Sequence, residues 1–139
     1  MPVPPEYQRA SQDFTRFLLD ARETSGLATT HQVYTMVQGV LQVFRRRLGV
    51  NDAVLFANVL PPVLRALFVA EWDTNEPGRP FEDRAVMTIE VQALRAEHNF
   101  APPDSIRAVA IALRKNVDEV ALDRVLAKLP AGAMRFWQP

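Results

Sequence analysis

Among the 139 residues there is no cysteine. That excludes disulfides, thiolate nucleophiles and Cys-ligated zinc together. Histidine occurs only as His31 and His98, on separate helix ends and without His-x-x-x-His or Glu-x-x-x-His spacing. Glu97 and His98 are adjacent, and adjacent residues do not share a helix face. His98 reads as a polar residue near a helix C-terminus and His31 as a surface residue of a first turn. No metal and no cofactor is expected. The five glycines are scattered singly, so no glycine-rich phosphate loop exists. Ser11, Ser25 and Ser105 have no nucleophile-elbow context.

Charge of one sign is also missing. Sixteen basic residues balance sixteen acidic ones. Nucleic-acid binders usually carry excess positive charge to neutralise phosphates, so nucleic acid is not the expected partner. Zero net charge gives little protection against self-association. Only Lys115 and Lys128 are lysines; the remaining cations are arginines. No apolar run approaches 18 residues, which argues against a membrane span. The start "MPVPPEYQR" has neither a basic n-region nor an apolar h-region. The expected location is the cytoplasm.

What is present is helical. Apolar residues make up 48% of the chain, and a chain this long buries roughly 68–70% of its unfolded surface. After "PVPP", the spacing of Tyr7, Ala10, Phe14, Phe17, Leu18 and Ala21 predicts a helix near 5–23, ended by Gly26 in a left-handed cap. Thr29 or Thr30 caps a second helix with the stripe Val33, Val37, Val40, Leu41, Phe44 and Leu48. Gly39 inside it costs about 1 kcal/mol against Ala, and close contact with another helix explains it. Asn51 or Asp52 is expected to cap a third helix with Ala53, Phe56, Ala57 and Leu60 inward. "LPP" breaks that helix, and a new segment runs from Pro61 to about Ala70.

"DTNEPGRP" (73–80) is the strongest loop signal. A fourth helix is expected near 81–97, with Val86, Ile89 and Ala93 on one line and Met87, Val91 and Leu94 beside it. A fifth carries Ile106, Val109, Ala110, Leu113 and Val117. Asp118 caps a sixth, with Leu122, Val125, Leu126 and Leu129 inward, and a short turn ends at Trp137. No period-2 pattern signals a half-buried strand longer than a few residues.

Two stretches echo each other. A shift of 69 positions lays residues 37–68 on 106–137 without a gap. Phe44 then meets Leu113, Arg45 meets Arg114, Leu60 and Pro61 meet Leu129 and Pro130, and Phe68 meets Trp137. Shared stripe, shared break and shared Leu-Pro stop together predict a duplicated helical unit. The expected fold is a single all-α domain over 1–139, a bundle of about six helices in two pseudo-repeated three-helix units. Unit one spans about 5–72, the loop 73–80, and unit two about 81–137.

The segments "LPPVLRALFVAEWD" (60–73) and "LPAGAMRFW" (129–137) resemble the two signature segments of a bacterial family known as domain of unknown function 2267. The resemblance runs from the first helix to the terminal Trp. It implies an all-α fold built from a repeat, and it implies no activity. The second segment departs from the usual pattern at Met134-Arg135, where a Leu-Arg pair is commoner.

Candidate chemistry is sparse. Glu71 and Asp73 flank Trp72, and Glu82-Asp83 open the fourth helix. These suit helix starts and turns, and no acid–base constellation is visible, so no enzyme is expected. "RRR" (45–47) is the one basic cluster; consecutive helical residues point about 100° apart, which predicts a solvated helix end. The alternative is an anion-attracting rim of Arg45, Arg46, Arg114 and Lys115. Phe68, Trp72, Phe136 and Trp137 are core anchors or, alternatively, line a groove with Arg65 and Arg135 nearby. The leading functional expectation is a soluble, non-enzymatic module. It would bind a protein partner or a second copy of itself through an apolar groove at Arg65, Phe68, Trp72, Arg135 and Trp137. The alternative is a small apolar or anionic ligand held between the two units.

Overall fold

The computed structural model describes residues 2–139. Among them are nine α-helices and no strand: α1 (Pro5–Gln8), α2 (Ala10–Ser25), α3 (Thr30–Arg45), α4 (Val50–Ala57), α5 (Pro62–Val69), α6 (Arg84–Ala93), α7 (Ser105–Lys115), α8 (Glu119–Leu126) and α9 (Ala133–Phe136). The bundle is all-helical, as the periodicity predicts.

Local rules place most boundaries. Thr29 and Gln32 close a capping box on α3, each side chain accepting from the other residue's backbone N–H. Gly26 ends α2 at φ 75°, the left-handed region where a side chain is disfavoured. Asp118 accepts from the Ala121 N–H and starts α8. Pro61 precedes α5 and Pro62 opens it, where a missing N–H costs nothing.

Three expectations change. The first predicted helix is interrupted at Arg9, and Tyr7 is exposed, because α1 buries nothing. Neither Asn51 nor Asp52 caps the third helix: Gly49 is the cap residue, and both polar side chains fall inside the first turn. The fourth helix ends at Ala93, short of 97. There the Asn99 side chain donates to the Val91 and Leu94 carbonyls, both at 2.7 Å, and removes the need for a further turn. Of the two apolar lines, the one with Met87 and Val91 faces inward, Leu94 packing partly against the core beyond them, and the one with Val86, Ile89 and Ala93 faces out.

α3 is the central rod, packed against α2, α5, α6 and α7. α2 lies along α7, and α6 lies along α3. Gly39 makes the second approach possible: a Cβ there would sit 3.1 Å from Val91 Cγ1 and 3.3 Å from the Val91 carbonyl. Phe44 forms the hub of the core. Its ring lies 4.7 Å from Phe56, 6.5 Å from Phe68, 4.9 Å from Phe136 and 5.3 Å from Trp137, centroid to centroid. Rings at such separations add about 0.5–1.5 kcal/mol per pair beyond their burial.

Candidate functional site

The three arginines at the end of α3 are the most unusual feature of the molecule. The last helical residue is Arg45, and the chain then turns. Arg46 keeps helical backbone and bonds the Gln42 carbonyl, so the side chains still fan apart at their roots, and Arg46 and Arg47 converge only at their tips, on Glu90. Arg47 meets Glu90 of α6 side by side, Nη1 to Oε1 at 2.9 Å and Nη2 to Oε2 at 2.7 Å. Arg46 reaches Glu90 Oε1 at 2.9 Å, and Arg79 reaches it at 3.0 Å. Burial alone would raise the Glu90 pKa, but hydrogen bonds from Arg47 and Arg46 and the charges of Arg47 and Arg79 hold it below the ordinary range. The expected solvated helix end is therefore corrected: Arg45 and Arg47 are buried.

Arg45 points the other way. Its Nη1 donates to the carbonyls of Phe68 at 3.0 Å and Ala70 at 3.1 Å, closing the end of α5. Its guanidinium carbon lies 5.4 Å from the centroid of Trp72, over the ring. Desolvation holds its pKa below the usual arginine value, with Glu76 partly opposing the shift. Arg45, Arg46, Gly49, Val50, Trp72 and Glu76 line a cleft of about 210 Å³ between the end of α3, the start of α4 and the following loop.

A second clamp holds the C-terminal turn. Arg84 Nη2 donates to the carbonyls of Arg135, Phe136 and Gln138 at 2.7, 2.9 and 2.7 Å. Arg114 Nε donates to the Trp137 carbonyl at 2.8 Å, and its Nη2 to Asp123 at 2.9 Å. Arg84 and exposed Arg135 flank an open cleft of about 600 Å³ between Phe81 and Met134.

The sequence-predicted residues thus divide. Phe68 and Trp137 are wholly buried in the ring cluster and cannot line a groove open to a partner. The large rings fill the region where a groove between the halves is expected, because Phe44 touches aromatic residues from both halves. Trp72 is half-buried on the cleft wall. Arg65 donates to the Ala57 and Leu60 carbonyls at 3.1 and 3.0 Å, where it serves the end of α4. The alternative reading, an anion-attracting rim of Arg45, Arg46, Arg114 and Lys115, does not assemble as free cations. Arg46 and Arg114 are committed to carboxylates and a carbonyl, Arg45 holds the end of α5, and only Lys115 stands exposed. Trp137 Nε1 is buried without a hydrogen-bond partner, and nothing in its surroundings explains this.

Sequence reasoning missed Glu90, Arg79 and Arg84. One signal was available for Glu90: it is the only acidic residue of α6, in a helix otherwise almost free of charge. Among the described residues no three His, Asp or Glu side chains gather as metal ligands would. Among the described residues no helix is long and apolar enough to cross a membrane.

No curated protein matches the chain. A family described as "Uncharacterized conserved protein (DUF2267)" matches residues 14–136, a span that includes both Leu-Pro pairs, Arg45, Arg114 and every ring of the cluster except Trp137, one residue further on. The chain belongs to that family.

Proposed function

We propose that this protein is a non-enzymatic, bacterial, cytoplasmic helical module that docks a protein partner, or a second copy of itself, on the outer face of α6. One observation carries the reading. Val86 is 46% and Ile89 67% exposed, with Ala93 exposed one turn further, on a helix whose other face is already used against α3. Folding gives no reason for the outward line. Helix positions spaced i, i+3, i+7 are the anchors by which an amphipathic helix is read by a partner. The groove between the halves, expected from the sequence, gives way here to an external helix face.

The same proposal includes descent from a duplicated unit. Supporting it, α4 and α8 have equal length, eight residues each, and lie at the offset of 69 positions seen in the sequence. The matched pair Arg45 and Arg114 donates to the matched carbonyls of Phe68 and Trp137. The first long helix of each half then lies against the other half, α2 on α7 and α6 on α3. A core built that way is shared, so neither half buries its stripe alone.

The test is Ile89→Glu with Val86→Glu. Sedimentation of the wild-type chain over a wide concentration range, and binding of isotopically labelled chain to host extract, supply the comparison. The reading expects association that the double variant abolishes while the melting temperature stays unchanged. A strict wild-type monomer whose partners are all retained by the variant overturns it.

A further inference from the structure

The cleft between α3 and α4 contains a cation with no direct ion pair, acted on only at a distance by the charge of Glu76. Arg45 is 7% exposed, and among the described residues it forms no salt bridge. Its Nε is buried with no partner, and its Nη1 is used by two carbonyls. The one carboxylate on the cleft wall, Glu76, is drawn to Arg46 at 3.6 Å instead. Across the whole cluster Arg45, Arg46, Arg47 and Arg79 face only Glu76 and Glu90, an excess of two positive charges.

The second element is the start of α4. Gly49 is its cap residue and no side chain caps it, so the leading N–H groups have neither an intrahelical acceptor nor a side-chain one. Gly49 and Val50 form part of the cleft wall. The opposing dipole end, that of α3, is already answered. Val43 O accepts from Arg47 Nη1, Gln42 O from the Arg46 N–H, and Arg46 O from the Arg79 N–H. The field in the cleft is therefore set by free amides and a guanidinium without an ion pair, the combination that holds oxyanions elsewhere, opposed by Glu76 on the wall and Asp52 in the first turn of α4.

We infer that this cleft binds a small phosphate-type oxyanion between the Arg45 guanidinium and the amino end of α4, with Glu76 as the internal competitor. A dianion matches the charge excess, and the cleft of about 210 Å³ admits only a small body. Trp72 forms the wall beside Arg45, its ring facing the guanidinium. The site is separate from the outer face of α6 and stands or falls independently of it.

The experiment is a titration of the full chain with inorganic phosphate at constant ionic strength, followed by amide and arginine side-chain NMR shifts. Saturable shifts are expected at the Val50, Asn51 and Asp52 amides and at Arg45 Nε–H. Arg45 holds the end of α5, so its removal is a poor test; two other variants carry it. Glu76→Gln removes the competitor and tightens phosphate binding by up to about fivefold. Val50→Pro removes one donor where proline is tolerated, after a Gly49 already extended at ψ 169°, and weakens binding. Shifts that stay linear in phosphate, or that neither variant alters, overturn the inference. Acetate binding as tightly as phosphate overturns the phosphate class.

Discussion

Arg47 and Glu90, 43 residues apart, meet in two parallel hydrogen bonds, and the Arg47 side chain is almost wholly buried beneath them. This pair joins the end of α3 to α6 and is the only bidentate ion pair of the arginine cluster. Removing one partner of a buried pair leaves the other charge without compensation, which costs about 3–5 kcal/mol. Glu90→Ala should therefore lower the urea-unfolding free energy by that order. A loss below about 1 kcal/mol would mean that water already serves Arg47.

The same carboxylate predicts an acid transition. The Glu90 pKa is depressed in the folded protein. Its contribution is thus fully present above the unfolded value of about 4.3 and is lost as pH falls toward the depressed folded value. Melting temperatures recorded from neutral pH downward should fall more steeply below that point for wild type than for Glu90→Gln. Parallel curves would remove Glu90 from the explanation of acid sensitivity.

The two tryptophans should differ. Trp137 sits at the ring hub, fully buried, so Trp137→Ala should cost about 3–5 kcal/mol. Trp72 is half-buried and holds one arginine over its face. Trp72→Ala should cost less, with a cation–π share of about 0.5–2 kcal/mol. Denaturant melts of both variants decide the order, and a reversed order contradicts the packing described.

Gly39 fixes how closely α6 approaches α3. Gly39→Val would drive methyl groups into Val91 and its carbonyl, at a cost of about 1–3 kcal/mol for overpacking. Val91→Ala in the same chain should return part of that loss. Strict additivity of the two changes in a double-mutant cycle would place the contact elsewhere.

Gly132 is held at φ 104°, and a Cβ there would meet Phe81 at 2.7 Å. Gly132→Ala combines a disfavoured backbone with a clash and should destabilise by more than about 1 kcal/mol. A neutral result by thermal melting would show that Phe81 can move away.

Nearly every helix was legible in the sequence because its signals act over one turn of chain. Thr29 with Gln32, Gly26, Asp118 and the Leu-Pro stops each set a boundary through neighbours within a few residues. The α3 stripe, and the tight passage at Gly39, followed from spacing and from glycine's missing Cβ. α6 was legible as a helix but not in its orientation. It offers two apolar lines, and the partner α3, far back in sequence, selects Met87 and Val91.

The charged residues could not be read in the same way. "RRR" looks like a solvated end until α5 and α6 pack beside it, whereupon one arginine closes α5 and two converge on Glu90. The sequence by itself determined the helical class, the breaks and the buried stripes, since those depend on backbone preference and local periodicity. Tertiary structure decided which cations are spent and which is left over. Electrostatic partners are chosen by proximity in space, and proximity exists only once the helices have packed.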